Sequence, residues 1–222
     1  DSWESNTLDF RNTTFNGAVT IDGGSGSDTI YGNAQNNVIR GGTGDDFMNG
    51  GAGNDLYLVG GSSDGWDRFA DNGATGSDTI RAVGADVTIG LRGFASSGIE
   101  VIDASKASGK VTLLDDWNSS ILDFRTASIV GAATIDGGGG SDTIYGTAQN
   151  NAVRGGSGDD LLDGGEGSDC YLVGGGVEEF DGWDRFADTG LTGRDIVRAV
   201  GDDVIIGVHG FTASGIEVID SS

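Results

Sequence analysis

Residues 41–58 read Gly41-Gly42-Thr43-Gly44-Asp45-Asp46-Phe47-Met48-Asn49, then Gly50-Gly51-Ala52-Gly53-Asn54-Asp55-Leu56-Tyr57-Leu58. One nine-residue pattern, G-G-x-G-x-D-x-U-x with U apolar, is written twice. Its glycines suit a turn that needs positive φ, where a Cβ would clash. The x-U-x triplet suits a short strand that sends one side chain inward. Two such units close one coil of a parallel β-solenoid, so the stretch predicts an all-β chain with stacked coils and one Asp in each turn.

The units continue on both sides. Gly23-Gly24-Ser25-Gly26-Ser27-Asp28-Thr29-Ile30-Tyr31 is a further match, and residues 32–40 carry Asn37 where the others carry Asp. Ile30, Ile39, Met48 and Tyr57 hold the apolar position, each nine residues from the last. The whole arrangement then recurs. Ile21 to Gly61 aligns with Ile135 to Gly175 at an offset of 114, and 30 of the 41 positions are identical. The second apolar set is Ile144, Val153, Leu162 and Tyr171. Beyond it the offset becomes 117, because Gly176 to Phe180 is three residues longer than Ser62-Ser63. The chain therefore reads as two blocks, 1–105 and 106–222, expected to stack as one solenoid of about twelve coils.

On these residues the chain resembles the RTX (repeats-in-toxin), hemolysin-type calcium-binding repeat family, most closely over 21–61 and 135–175. The spacers resemble the longer linking coils of tandem RTX arrays, with Gly-x-x-Gly-x-Asp at 73–78 and 190–195 and Ile-Glu-Val-Ile at 99–102 and 216–219. The resemblance implies a right-handed parallel β-roll, or β-helix solenoid, with several calcium ions in its glycine-rich turns. It also implies type I secretion from a Gram-negative bacterium and an extracellular or cell-surface location. A larger parent chain is implied too, often with a catalytic domain upstream such as a protease, lipase or epimerase.

Composition agrees with a thin, acidic solenoid. The 222 residues carry 35 Asp+Glu against 12 Lys+Arg, a formal net charge of −23. Hydrophobic residues are 36%, Gly is 43 and Pro is 0. Such low apolar content with such charge would suggest disorder in an aperiodic chain. Here one apolar position per strand suffices for the core, and cations can neutralise the carboxylates. A nucleic acid would be repelled over most of the surface. No apolar run reaches the length of a membrane span, and neither end reads as a signal peptide. The lone cysteine, Cys170, excludes an intramolecular disulfide and takes the place of Leu56, as a small apolar residue would. With no disulfide, calcium is the expected staple.

Calcium takes about six to eight hard oxygen ligands, which one turn cannot supply alone. With two units per coil, Asp28 should lie over Asp46 and Asn37 over Asp55. In the second copy Asp142 should lie over Asp160 and Asn151 over Asp169. Backbone carbonyls would come from Gly24, Gly26, Gly42, Gly44, Gly51 and Gly53, and from Gly138, Gly140, Gly156, Gly158, Gly165 and Gly167. The Asn-containing pairs offer one carboxylate each and so predict weaker sites. The bland alternative for any such Asp is a metal-free Asx turn. In the spacers, Asp64-Gly65-Trp66-Asp67-Arg68-Phe69-Ala70-Asp71 recurs as Asp181 to Asp188. There Asp67, Asp71 and Asp78 would share one ion, and Asp184, Asp188 and Asp195 another; the alternative is a solvated acidic loop.

Catalysis has little support. The one histidine, His209, replaces Arg92 and so stands outside the repeated unit, and neither a G-x-S-x-G nor an HExxH motif occurs. The expectation is a non-catalytic scaffold and export-assisting segment that folds on calcium. The sharper alternative is a calcium-dependent carbohydrate-binding or adhesion module, with a polysaccharide as partner. Trp3 and Trp117, and Trp66 and Trp183, are equivalent pairs, so all four belong to the repeated unit. Against this stands tryptophan as packing at a coil end. A part in a secreted polysaccharide-active enzyme is a second alternative, since acidic pairs are plentiful.

Overall fold

The computed structural model describes residues 4–61, 64–71, 75–174, 181–201, 204–209 and 215–221. Trp3 lies outside them. Among these residues every paired strand runs parallel to its neighbour, and the helical content is one 3-10 turn, Phe94–Ser96. The chain divides into two compact units, Asp1–Leu113 with Ile129–Ala132, and Leu114–Ser128 with Ala133–Ser222. Each is a β-solenoid.

In the first unit consecutive strands alternate between two sheets. Thr7–Asp9, Thr29–Tyr31, Phe47–Asn49 and Arg68–Phe69 stack in one. Thr20–Ser25, Val38–Thr43, Leu56–Gly60, Thr79–Val83 and Val101–Asp103 stack in the other. The register places apolar side chain over apolar side chain. Leu8, Ile30, Met48 and Phe69 form one inner column. Ile21, Ile39, Tyr57, Ile80 and Ile102 form the facing one. The second unit repeats this with Leu122, Ile144, Leu162 and Phe186 against Ile135, Val153, Tyr171, Val197 and Ile219. Strand residues on either side of each inner position point outward, as the two-residue period requires.

The core is one side chain deep from each sheet, and its central members are wholly buried. Each contributes about 1.5–3 kcal/mol relative to exposure. Tyr57 and Tyr171 are its largest members. They pack edge-on against Phe69 and Phe186 at 5.5 and 5.4 Å between ring centroids. A buried hydroxyl needs a partner: Gly50 and Gly164 donate backbone N–H groups to Tyr57 and Tyr171, both at 2.7 Å. The sequence array therefore ends in a tyrosine whose ring fills the core and whose hydroxyl fastens the preceding turn.

Coils are not of constant length. Inside the arrays, matching residues of successive coils are 18 apart, but in the spacers the step is 21 to 26. The chain therefore makes fewer coils than about twelve at two nonapeptides each, because the spacer loops consume length without adding strands. Val101–Asp103, Ile121–Asp123 and Thr134–Asp136 are strands, in line with the apolar alternation through the middle of the sequence.

The turn glycines separate two demands. Gly24 and Gly42 both have positive φ, +98° and +109°. A Cβ on Gly24 would meet nothing within 4 Å, whereas one on Gly42 would lie 2.0 Å from the Gly24 carbonyl oxygen. Gly24→Ala should cost about 1 kcal/mol for the left-handed backbone. Gly42→Ala should cost several times more, because it pushes two coils apart. Thermal midpoints of the calcium-loaded variants test this; equal shifts would mean that turn conformation, not coil spacing, selects glycine.

Candidate metal centre

The acids of the repeat form ladders along the two turn sides of each unit. On one side of the first unit, Asp28 N–H donates to Asp46 Oδ1 at 2.7 Å and Asp46 N–H to Asp67 Oδ1 at 3.1 Å. On the other, Asn37 N–H donates to Asp55 Oδ1 at 2.6 Å, Asp55 N–H to Asp78 Oδ1 at 2.7 Å, and Asp78 N–H to Glu100 Oε2 at 2.8 Å. The second unit has the same rungs, from Asp142 to Asp160 to Asp184 and from Asn151 to Asp169 to Asp195 to Glu217. Each carboxylate thus uses one oxygen to hold the backbone of the neighbouring coil. The bond is not an Asx turn within its own loop.

The other oxygen is the informative one. Oδ2 of Asp28, Asp46, Asp55, Asp142, Asp160 and Asp169 is buried and has no hydrogen-bond partner. It lies against the first glycine of its own repeat: a Cβ on Gly41 or Gly155 would fall 2.2 or 2.1 Å from Asp46 or Asp160 Oδ2. A buried carboxylate oxygen without a partner is costly. Burial pushes Asp46 up to about 6, Asp55, Asp142 and Asp169 to about 7 and Asp160 to about 8. The backbone N–H bond opposes this shift, and neighbouring carboxylates add to it. These donors suit a hard cation: they are all oxygen, anionic, desolvated and stacked. When bound, calcium would supply positive charge that satisfies them.

Asn37 and Asn151 differ. Their Oδ1 atoms accept from Asn33 N–H at 2.8 Å and Thr147 N–H at 2.7 Å, within their own turns. Their Nδ2 groups donate back to Asn33 Oδ1 and Thr147 Oγ1 at 2.9 Å. The neutral amide makes the local turn that the aspartates forgo.

Gly26, Gly44, Gly51, Gly53, Gly138, Gly140, Gly156, Gly158, Gly165 and Gly167 share the positive φ of the turn glycines. Several stack closely: a Cβ on Gly44, Gly156 or Gly158 would meet the carbonyl oxygen of Gly26, Gly138 or Gly140 at 2.4 Å or less. The spacer acids group otherwise than their spacing suggests. Asp67 stands over Asp46, and Asp184 over Asp160, on the opposite side from Asp78 and Asp195. Asp71 and Asp78 join Asp55, and Asp188 and Asp195 join Asp169, with carboxylate oxygens within 4.8 Å of one another. The corrected grouping follows from the solenoid: residues half a coil apart face opposite turns. It also makes the asparagine side of each array rich in carboxylates at its end.

Four further acids belong to this framework. Asp64 and Asp181 accept from Gly60 and Gly174 N–H at 2.6 and 2.5 Å and are buried. Glu100 and Glu217 extend the ladders. Their signal was present, in the recurring octet and in the Ile-Glu-Val-Ile repeat. The tryptophans are unequal: Trp117 is 67% exposed, Trp183 52% exposed and Trp66 half-buried. Cys170 sits half-buried on a strand beside Ala152 and Ile196.

The family model of the RTX calcium-binding nonapeptide repeat matches residues 22–57 and 134–176, in four copies. The match covers the two glycine-rich arrays and leaves the spacers outside. No curated protein and no solved structure matches the chain.

Carboxylates raised by burial hold protons more tightly in the fold than in the unfolded chain. The stability they lend the metal-free fold is present below the unfolded value near 4 and is lost as pH rises through about 6–8. In EDTA, β-structure by circular dichroism should therefore increase on acidification from about pH 8 to pH 5. Calcium binding near neutrality should release protons, read as a dependence of calorimetric heat on buffer ionisation enthalpy. A buffer-independent heat would mean that these acids are already ionised in the metal-free chain.

Proposed function

The chain carries RTX calcium-binding repeats in both of its units, and from this premise we propose a module that folds on calcium and serves as a non-catalytic scaffold. Its setting is a secreted or cell-surface protein, exported by type I secretion, in which another domain does the chemistry. The observation that carries the reading is the set of buried Asp Oδ2 atoms, unpartnered in both units. Without cations these oxygens oppose the packing that the apolar columns favour, and a net charge of −23 adds repulsion throughout. An ion that binds the folded state alone shifts the balance by linkage. No helix among the described residues is long and apolar enough to cross a membrane.

A second reading rests on exposed rings. Trp117 and Trp183 are more than half exposed, and Trp183 lies 5.8 Å from the His209 ring with its backbone N–H on Asp159 Oδ1 at 2.9 Å. An open indole beside carboxylates suits a saccharide, whose C–H face stacks on the ring while its hydroxyls donate to the acids. On this reading Trp183→Ala weakens glycan binding on an array and leaves the calcium midpoint unchanged.

Calcium titration of the EDTA-treated chain should bring out β-signal at roughly 10⁻⁴–10⁻³ M. An unchanged signal with and without EDTA would sink the calcium-folding reading. Asp46→Ala removes both an inter-coil rung and an orphaned anionic oxygen, whereas Asn37→Ala removes only a neutral local turn and keeps the backbone N–H that bonds Asp55. The first substitution should raise the calcium midpoint more than the second. Equal shifts would assign the asparagines the same role as the aspartates.

A further inference from the structure

We propose that the chain carries two complementary sheet edges, so that Val218–Asp220 of one copy takes the segment around Phe15 and Asn16 of a second copy, and folded chains join head to tail. The proposal goes beyond the calcium-folding reading and rests on it only for the conditions under which the chain folds.

The template lies inside the first unit. Ile129–Ala132 belong to that unit, although in sequence they stand in the second copy of the repeat. Ser128–Val130 is the edge strand next to Val101–Asp103. Ala104 donates its backbone N–H to Val130 O at 2.7 Å. Under this strand Ile102 is 0% exposed and Ala104 5% exposed. Gly131 follows with φ of +92°, and a Cβ there would lie 2.8 Å from Ser105 N. A short strand from one copy of the repeat thus closes the inner column of the copy before it.

The duplication then points to both halves of the same contact elsewhere in the chain. Val218–Asp220 matches Val101–Asp103 at the offset of 117 and stands at the edge of its sheet, beside Ile196–Ala199. Ile219, the match of Ile102, is 53% exposed, and Ser221, the match of Ala104, is exposed. At the offset of 114, Phe15, Asn16 and Gly17 match Ile129, Val130 and Gly131. Gly17 has the same left-handed backbone, φ +104°, but a Cβ there would meet nothing within 4 Å. Phe15 is anchored in its own unit: its N–H donates to Gln35 Oε1 at 2.8 Å and its carbonyl oxygen accepts from Gln35 Nε2 at 3.2 Å. Asn16, which matches the acceptor Val130, has no hydrogen-bond partner among the described residues.

An edge strand with open backbone groups is a template for a further strand. The strand that fits this edge is the match of the one already seated on Val101–Asp103. Phe15 would cover Ile219 as Ile129 covers Ile102, and Ser221 N–H would donate to Asn16 O. The two edges differ, so the contact is heterologous and copies add in a line without closing. One short strand per contact makes the association weak, and a net charge of −23 opposes it at low salt.

The test weighs the full chain in saturating calcium by sedimentation equilibrium, at about 0.15 M salt, where charges are screened beyond ~8 Å. The weight-average mass should rise with concentration past that of two chains. Asn16→Pro and Ser221→Pro each remove one backbone N–H of the contact. Each variant alone should stay single with an unchanged calcium midpoint. Mixed together they keep one sound edge apiece, so their mass should stop at two chains. A folded wild type that stays single, a wild-type mass that stops at two, or proline variants that associate like wild type would each overturn the proposal. Should a proline variant fail to fold, Phe15→Asp or Ile219→Asp takes its place, with the same outcomes expected. A chain that folds without calcium and still adds end to end would remove the calcium reading alone.

Discussion

A carboxylate with one oxygen committed to the next coil and the other left bare is the constraint on which this fold depends. The committed oxygen is cheap to explain. It accepts a backbone N–H that a turn would otherwise leave unpaired, at 2.6–2.7 Å in the rungs of both arrays. The bare oxygen is not. It is buried, anionic at neutral pH in an unfolded chain, and repeated along each stack. The rung that aligns two coils therefore also concentrates charge between them, so alignment and repulsion have the same source. A cation removes the repulsion without disturbing the rung. A proton does so too, which is why acid and calcium should act in the same direction on the metal-free chain.

Glycine enters through this constraint and not as a general loosening of the chain. The first glycine of each repeat leaves room for the returning carboxylate of its own unit. The second and third, Gly24 apart, stack on carbonyl groups of the neighbouring coil; a Cβ on Gly158 would lie 1.9 Å from Gly140 O. Coil spacing near the inter-strand distance leaves no volume for a side chain at these points. The apolar columns alone would tolerate a wider turn. It is the carboxylate rung that draws the turns together until only glycine fits.

Much of this was legible in the sequence because it is periodic. The nine-residue spacing named the inward residues, Ile30 and Ile39 among them, and the eighteen-residue step put Asp28 over Asp46. Legibility stopped where the period stopped. Asp67 and Asp78 stand close in sequence yet face opposite turns, and only the register of Arg68–Phe69 and Thr79–Val83 on their neighbours reveals it. Asn37 was readable as a weaker donor, but its pairing with Asn33 depends on a second amide that the repeat pattern does not specify. Trp66 and Trp183 occupy equivalent places in identical octets and still differ in exposure. The repeat pattern fixes their places in the octet but not how much of each residue stays open.

That last contrast bears on what such a solenoid tolerates. Between equivalent rungs the connecting chain lengthens from 21 to 24 residues on one side and from 23 to 26 on the other, and the rungs survive. The inward columns survive as well, with Phe186 and Val197 standing where Phe69 and Ile80 stand in the first unit. Insertions are absorbed outside the ladder because the ladder is defined by which carboxylate meets which backbone N–H, not by the path between them. Loop entropy rises only slowly with such additions. The turns cannot change in this way without losing the rungs that tie one coil to the next.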